Sequence, residues 1–348
     1  MLPSKLKNVC WALIVGQALA CLVCSSGICA ALLAQLDISL PLSENVPHYA
    51  LLTVLFTLFR LYTHCSRVDS AECSGESIAN DKKSRTTCIL LYISAGVLEM
   101  HSFWANLAAY NYTSITSIQL LDCASVPAAM IVSFFLLRHR YTWTHLLGVV
   151  LSIGGTCLMV FADIPNKTDN SVARNYSNWT QSNETGYTYQ TVMLGDMLAI
   201  LGAILYGISS VLQEYIVAKD GASTYLAWCP MVSVSLFLMY SIALERKQLA
   251  KILTSFGLHT RSTPLFAVAY FVGYVTSMFV LDIFMAYTIT NVSAAVINLS
   301  FHTTDVYALM IGIWLFGVKF QVLYFVAYGL ILTGVIIFAL RRPSIPTS

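Results

Sequence analysis

The chain has 348 residues, of which 57% are apolar and only 10% charged, and its formal net charge is +2. Soluble chains carry about 25% charged residues, so this is the composition of a membrane protein rather than of a soluble domain. The near-neutral balance gives no basic or acidic surface suited to nucleic acid.

The N-terminus reads Met-Leu-Pro-Ser-Lys-Leu-Lys and leads into an apolar run from Val9 to Leu36. That run is too long for a signal-peptide core of about 7–15 residues, and it is expected to be retained as a first helix. Further apolar runs follow at 46–64, 87–110, 114–137, 143–163, 192–218, 223–243, 264–287, 290–316 and 320–340. Each is long enough to cross a hydrocarbon core of about 30 Å at about 1.5 Å per residue. None shows strand alternation, so the expected fold class is an all-α integral membrane protein with ten transmembrane helices. Three connections are long: 65–86 is polar and charged, 164–191 is rich in Asn, Ser, Thr and Tyr, and 244–263 is mixed. Within the last, Glu245–Gly257 fits an amphipathic surface helix.

Basic residues set the orientation. A cytosolic N-terminus places 12 of the 19 Lys and Arg on the cytosolic side, although Arg246, Lys247, Lys251 and Arg261 fall on the other. Four glycosylation sequons, at Asn166, Asn175, Asn178 and Asn183, lie together between the fifth and sixth helices. That loop is lumenal or extracellular in the same orientation. The expected location is a multi-pass membrane protein of the plasma membrane or of an endomembrane such as Golgi or endosome. The ten cysteines fall mostly within apolar runs, where Cys acts as a small hydrophobe, and no metal-ligand spacing is evident.

The chain reads as a duplication. Helix 4 opens Ala109-Tyr-Asn-Tyr-Thr-Ser-Ile-Thr-Ser and helix 9 opens Ala286-Tyr-Thr-Ile-Thr-Asn-Val-Ser-Ala. A short basic connection follows each, Arg138-His-Arg140 or Gly317-Val-Lys319, and then a Gly-bearing helix with Gly148, Gly154 and Gly155 or Gly329 and Gly334. Two halves of five helices, 9–163 and 192–340 around the 164–191 loop, must have opposite topology. Inverted repeats of this kind are typical of secondary transporters. The plainer alternative is that two apolar helices share a few residues by chance.

The stretch from Ala109 to Cys123, Ala-Tyr-Asn-Tyr-Thr-Ser-Ile-Thr-Ser-Ile-Gln-Leu-Leu-Asp-Cys, resembles the signature of the F branch of solute carrier family 35, in the drug/metabolite transporter superfamily. Gly195-Asp196 with Gly202-Ala203 and Tyr206, then Glu214-Tyr-Ile-Val, add to the likeness. So do Asn298-Leu with Thr303, Asp305 and Tyr307, Leu315-Phe-Gly317, and Ala162-Asp-Ile at the end of helix 5. The resemblance spans roughly residues 10–340 and implies ten helices, a 5+5 inverted repeat and alternating access without a bound cofactor. The family's Asp-x-Glu-Ala-Asn in helix 3 here reads Glu99-Met-His101-Ser102-Phe103, and the Lys before Ala-Tyr is Ala108. A relative's substrate therefore does not carry over.

Polar side chains in apolar helices are costly and tend to face a cavity. Asn298, His302 and Asp305 recur on one face of helix 9 and are candidates for substrate binding or a proton relay, or for a hydrogen-bond cluster that only fixes packing. On helix 4, Thr116, Gln119 and Cys123 share a face next to Asp122; Gln119 offers both donor and acceptor. His101, Asn106 and Tyr110 on helix 3, with Phe103 and Trp104 able to stack, and Tyr206, Ser209, Ser210 and Gln213 on helix 6 complete the set. Ala199, Ala203 and Gly207 read as close helix packing, and Glu99, Asp282 and Glu214 as charges near helix ends that reach water.

The expected function is secondary transport of a small polar organic solute, such as a nucleobase-like or flat cationic compound, at one midplane site enclosed by helices 1, 3, 4, 6, 8 and 9. The alternatives are a nucleotide-sugar exchanger, which should require buried Lys or Arg that no helix centre supplies, and a membrane-embedded enzyme, for which no catalytic constellation is evident. The chain has no phosphate loop, so ATP hydrolysis is not expected. No cofactor, metal or nucleic acid is expected. The partners are a small-molecule substrate and the lipid bilayer, with a homodimer left open.

Overall fold

The computed structural model describes residues 4–36, 38, 40–71, 82–109, 112, 118, 121–163, 189–250, 263–316 and 323–340. Helices dominate, and no extended strand occurs among the described residues. In chain order they are α1 (Ser4–Gln35), a 3₁₀ turn (Ser43–Asn45), α2 (Val46–Ala71), α3 (Lys82–Ala109), α4 (Ser125–Leu136), α5 (Trp143–Asp163), α6 (Tyr189–Asp220), α7 (Ala222–Tyr240), α8 (Thr263–Val292), α9 (Ala294–Phe316) and α10 (Leu323–Ala339). Among the described residues, four segments are long and apolar enough to cross a membrane: Cys10–Leu33, Met193–Asp220, Ala222–Ala250 and Leu265–Val292. Apolar side chains also face outward on α2, where Leu51, Leu55, Leu58 and Phe59 are each at least half exposed, as lipid contact requires.

Three boundaries differ from the sequence expectation. The fourth helix is regular only from Ser125, after a turn at Cys123 and Ala124. Pro127 has no N–H to give the Cys123 carbonyl, which accepts instead from the Val126 N–H at 3.4 Å. The α8–α9 break falls at Ser293, a non-glycine residue with φ 76°, rather than near 288. At the end of α7, Ser241–Glu245 form a π-helical turn with Glu245 buried; residues 246–250 continue as exposed helix, and the remainder of the expected surface helix lies outside the described residues.

The chain divides into two compact units. The first comprises Met1–Ile28, His101–Val211 and Asn291–Ser348. Its centre is α9, buried at every residue from Ala294 to Ser300. Beside it α5 and α10 pack antiparallel: Gly148 lies against Gly334, and Gly155 against Ile331 and Ala327. The contact is reciprocal. A methyl on Gly148 would sit 2.7 Å from the Gly334 carbonyl oxygen, and one on Gly334 2.5 Å from the Gly148 carbonyl oxygen. Only residues without a side chain allow backbones this close.

The second unit comprises Cys29–Met100 and Leu212–Thr290. Here α2 packs antiparallel on α7, with Tyr49 stacked on Phe237 at 5.3 Å between ring centroids. Glu245 caps the 3₁₀ turn before α2: its carboxylate accepts from the Leu42 and Ser43 N–H groups, each at 2.8 Å, and from the Ser43 hydroxyl at 2.5 Å. The Tyr274 hydroxyl of α8 donates to Asn45 Oδ1 at 3.0 Å, and Asn45 Nδ2 to the Pro41 carbonyl at 2.7 Å. The α1–α2 connection is thus tied to both α7 and α8.

Candidate functional site

In the first unit, α9 carries polar side chains on two faces. On one, Asn298 Nδ2 donates to Ser210 Oγ of α6 at 2.9 Å, and His302 Nδ1 lies 3.6 Å from Cys123 Sγ. On the other, the Thr303 hydroxyl donates to Gln17 Oε1 of α1 at 3.2 Å, the Tyr307 hydroxyl donates to the same oxygen, and Gly16 leaves room for Ser300. Beside the first face, Asn106 of α3 donates to the Asp122 carboxylate. Asp122 is exposed, and its neighbour Cys123 is the contact of His302.

Four of these side chains keep a buried polar atom with no hydrogen-bond partner: Asn298 Oδ1, His302 Nε2, Gln17 Nε2 and Asn106 Oδ1. Buried polar groups are nearly always paired, so orphans ask for an explanation. Two are acceptors, one is a donor, and the imidazole nitrogen is either, according to tautomer. Among the described residues no Lys or Arg is buried as a whole; Arg60 of α2, in the second unit, keeps one buried guanidinium nitrogen without a hydrogen-bond partner, and no cation is buried beside these four side chains in the first unit. No group of three or more metal-ligating side chains occurs among them either.

Of the expected site residues, the structure thus links Asn106 to Asp122, and ties Asn298 and His302 into the contacts of α9. His101 is half-buried on α3. Tyr206 on α6 has its ring 6.5 Å from that of Phe301. Gln213 is buried on α6 but belongs to the second unit. Thr116, Gln119 and Tyr110, the four sequons at Asn166, Asn175, Asn178 and Asn183, and the side chain of Asp305 lie outside the described residues.

Two features escaped the sequence reading. Gln17 was legible only as a lone amide inside the first apolar run. The second group is in the other unit. Glu99 lies in mid-α3, where the Tyr49 and Ser233 hydroxyls each donate to it at 2.9 Å. Asp282 lies ten residues before the end of α8, with Oδ2 3.6 Å from His48 Nε2. Neither stands at a helix end, which corrects that expectation for Glu99 and Asp282, both of them partly exposed; Glu214 is buried on α6 and does not reach water. For Asp282 the cause is the length of α8, which runs on to Val292, so that about 15 Å of helix follows it.

Long apolar helices with amide, imidazole and carboxylate side chains buried between them are the build of a multi-pass membrane protein. A family model for solute carrier family 35 (SLC35F) matches residues 5–340. The chain belongs to solute carrier family 35. It is 29% identical over 326 residues to solute carrier family 35 member F2 of Mus musculus, covering 93% of this chain and 77% of that protein. It is 30% identical to the member F2 of Xenopus tropicalis over 93% of this chain and 75% of that protein. A crystal structure of a protein 12% identical in sequence superposes with a TM-score of 0.58, over 94% of this chain and 95% of that one, and shows the likeness of fold. Members of this family are solute carriers, which points away from an enzyme, and a carrier sits in the bilayer and binds a small molecule.

Proposed function

We propose that the protein is a secondary transporter of a small polar organic solute of nucleobase-like or flat cationic character. In this reading ten spans in a 5+5 inverted repeat work by alternating access. The observation that carries it is the set of orphaned polar atoms on α3 and α9, Asn106 Oδ1, Asn298 Oδ1 and His302 Nε2, two acceptors and an imidazole nitrogen whose role follows its tautomer, which suit a heterocycle bearing amide-like edges. Asn106, Asp122, Asn298 and His302 would then meet the solute, and Thr116, Gln119, His101, Tyr206 and Asp305 extend the candidate set. The antiparallel course of α5 against α10, and of α2 against α7, supports the inverted repeat, because helices in equivalent positions of two inverted halves run in opposite directions. A nucleotide-sugar exchanger is disfavoured: its diphosphate would find no buried Lys or Arg among the described residues of the first unit, which carries the candidate site.

Uptake into proteoliposomes of labelled adenine, for the nucleobase class, and of ethidium, for the flat cations, tests the reading. Asn298→Ala removes one hydrogen bond to Ser210 and should cost about 1 kcal/mol of stability. Its uptake should nevertheless fall far more than its expression. Undiminished transport by a well-folded Asn298→Ala protein would remove α9 from the site. The same reading places both termini in the cytosol, and a tag after Ser348 reached by antibody without permeabilisation would contradict it.

A further inference from the structure

The second unit holds a polar cluster that the proposed solute site does not use. Glu99 of α3 is engaged at both oxygens, by the Tyr49 hydroxyl of α2 and the Ser233 hydroxyl of α7. Asp282 of α8 is not: its Oδ2 is buried without a hydrogen-bond partner. Facing it is His48, 2% exposed, whose Nε2 stops 3.6 Å short and whose Nδ1 has no partner either. A carboxylate oxygen and an imidazole have thus been buried face to face, just beyond hydrogen-bonding distance.

The surrounding charges do not compensate the pair. Glu99 lies within electrostatic range of Asp282. Tyr49 of α2, Tyr225 and Cys229 of α7 and Tyr274 of α8 are the other titratable groups coupled to this cluster. None of them is basic, so the carboxylate that faces His48 has a second carboxylate within electrostatic range and no cation among these groups. A metal ion does not fit, since no three ligating side chains converge among the described residues. A proton does fit, because it needs only one acceptor and one partner to share it with.

We propose that His48 and Asp282, flanked by Glu99, form a proton-binding site whose occupancy switches the α2–α8 contact. The step takes one proton from solvent and breaks no bond. The loaded pair is either imidazolium with carboxylate or imidazole with carboxylic acid, two tautomers of one macroscopic state. In either form a charge-assisted or O–H donor replaces the open gap, and such bonds close to about 2.7–2.9 Å. Protonation therefore draws α2 toward α8, and loss of the proton releases them. For the carrier proposed above, on which this role rests, that is a means of coupling transport to a proton gradient.

The test needs no solute. The full chain, purified in detergent, is examined by infrared difference spectroscopy between about pH 8 and about pH 5, the range in which histidine-linked switches operate. All spectra are taken in the Glu44→Gln background, because the Glu44 carboxyl also titrates in this range; the parent spectrum should contain a protonated-carboxyl or imidazolium band that disappears on adding D282N. In H48Q the midpoint of the remaining carboxyl band should move by at least about one pH unit, a tenfold change in proton affinity. E99Q should weaken proton binding, because one of the two negative charges attracting the proton is gone. Should D282N not fold, D282E and H48Q carry the comparison. Spectra of D282N, or of H48Q and D282E together, that match the parent overturn the proton site and leave the carrier reading intact. A titrating band in a protein that transports neither adenine nor ethidium leaves the proton site standing and counts against the carrier reading instead.

Discussion

The α5–α10 and α2–α7 pairs run the same way, antiparallel, yet they are held by different physics. Gly148 and Gly334 bring the backbones of α5 and α10 together with no side chain between them. The α2–α7 pair is joined by chemistry: a stacked Tyr49–Phe237 pair, and a carboxylate from the end of α7 capping the turn that starts α2. The α5–α10 seam is set first by shape, with the His145 ring of α5 edge-on to Phe338 of α10 at 4.9 Å beside it. A capped and charged junction depends on ionisation, so the second unit is where solution conditions should act.

The largest effect is expected at that junction. Glu245→Ala would leave the Leu42 and Ser43 N–H groups and the Ser43 hydroxyl without their acceptor. At about 1–3 kcal/mol per orphaned buried group, the loss should reach about 3–5 kcal/mol, read as a lowered thermal midpoint in detergent. A midpoint within a degree of the wild type would mean the cap does not hold α2 to α7.

Next comes the neighbouring Glu44. Burial pushes its carboxyl up to about 7; the Leu40 N–H bonded to it pulls the other way, and Glu245 close by adds to the rise. The folded chain then holds a proton that the unfolded chain, with Glu near 4.3, releases. The contribution is fully present below that ordinary value and lost as pH rises to about 7. A shift of this size corresponds to about 3 kcal/mol. Glu44→Gln should flatten the fall in stability across that window, and an unchanged slope would sink the assignment.

The seam should respond less. Gly148→Ala places a methyl against the Gly334 carbonyl, a backbone atom that yields only if the helices separate. Overpacking of this kind costs about 1–3 kcal/mol, and the loss should be the same at pH 5 and pH 8. A pH-dependent penalty would erase the contrast between the two pairs.

The smallest effect belongs to His139, at the turn after α4 in the first unit. Its Nδ1 pairs with the Ser133 hydroxyl at 2.8 Å, and burial holds its pKa below the ordinary histidine value. The sign is opposite to that of Glu44: the neutral ring is favoured by folding, so stability is lost as pH falls below about 6.5. His139→Gln should remove that slope, whereas a slope that persists assigns it to another group.

Much of the architecture was legible because lipid imposes it. Apolar runs of spanning length and the Ala-Tyr entries to helices 4 and 9 are written along the chain, and the family likeness stands above all on the stretch from Ala109 to Cys123. The site was half legible. Asn298 and His302 declare themselves by spacing on one helix face. Gln17 and His48 do not, because each is a single polar residue whose meaning depends on a partner 286 or 234 positions away.

Composition and run length by themselves determined that this is a multi-pass helical membrane protein, since an apolar run of such length can satisfy its backbone in lipid only as a helix. Tertiary structure alone decided which polar groups are paired. Gln17 meets Thr303, Glu245 caps Ser43, and Asp282 faces His48 across an open gap. The physical reason is that hydrogen bonds and charges act over a few ångströms of space, whatever the distance along the chain.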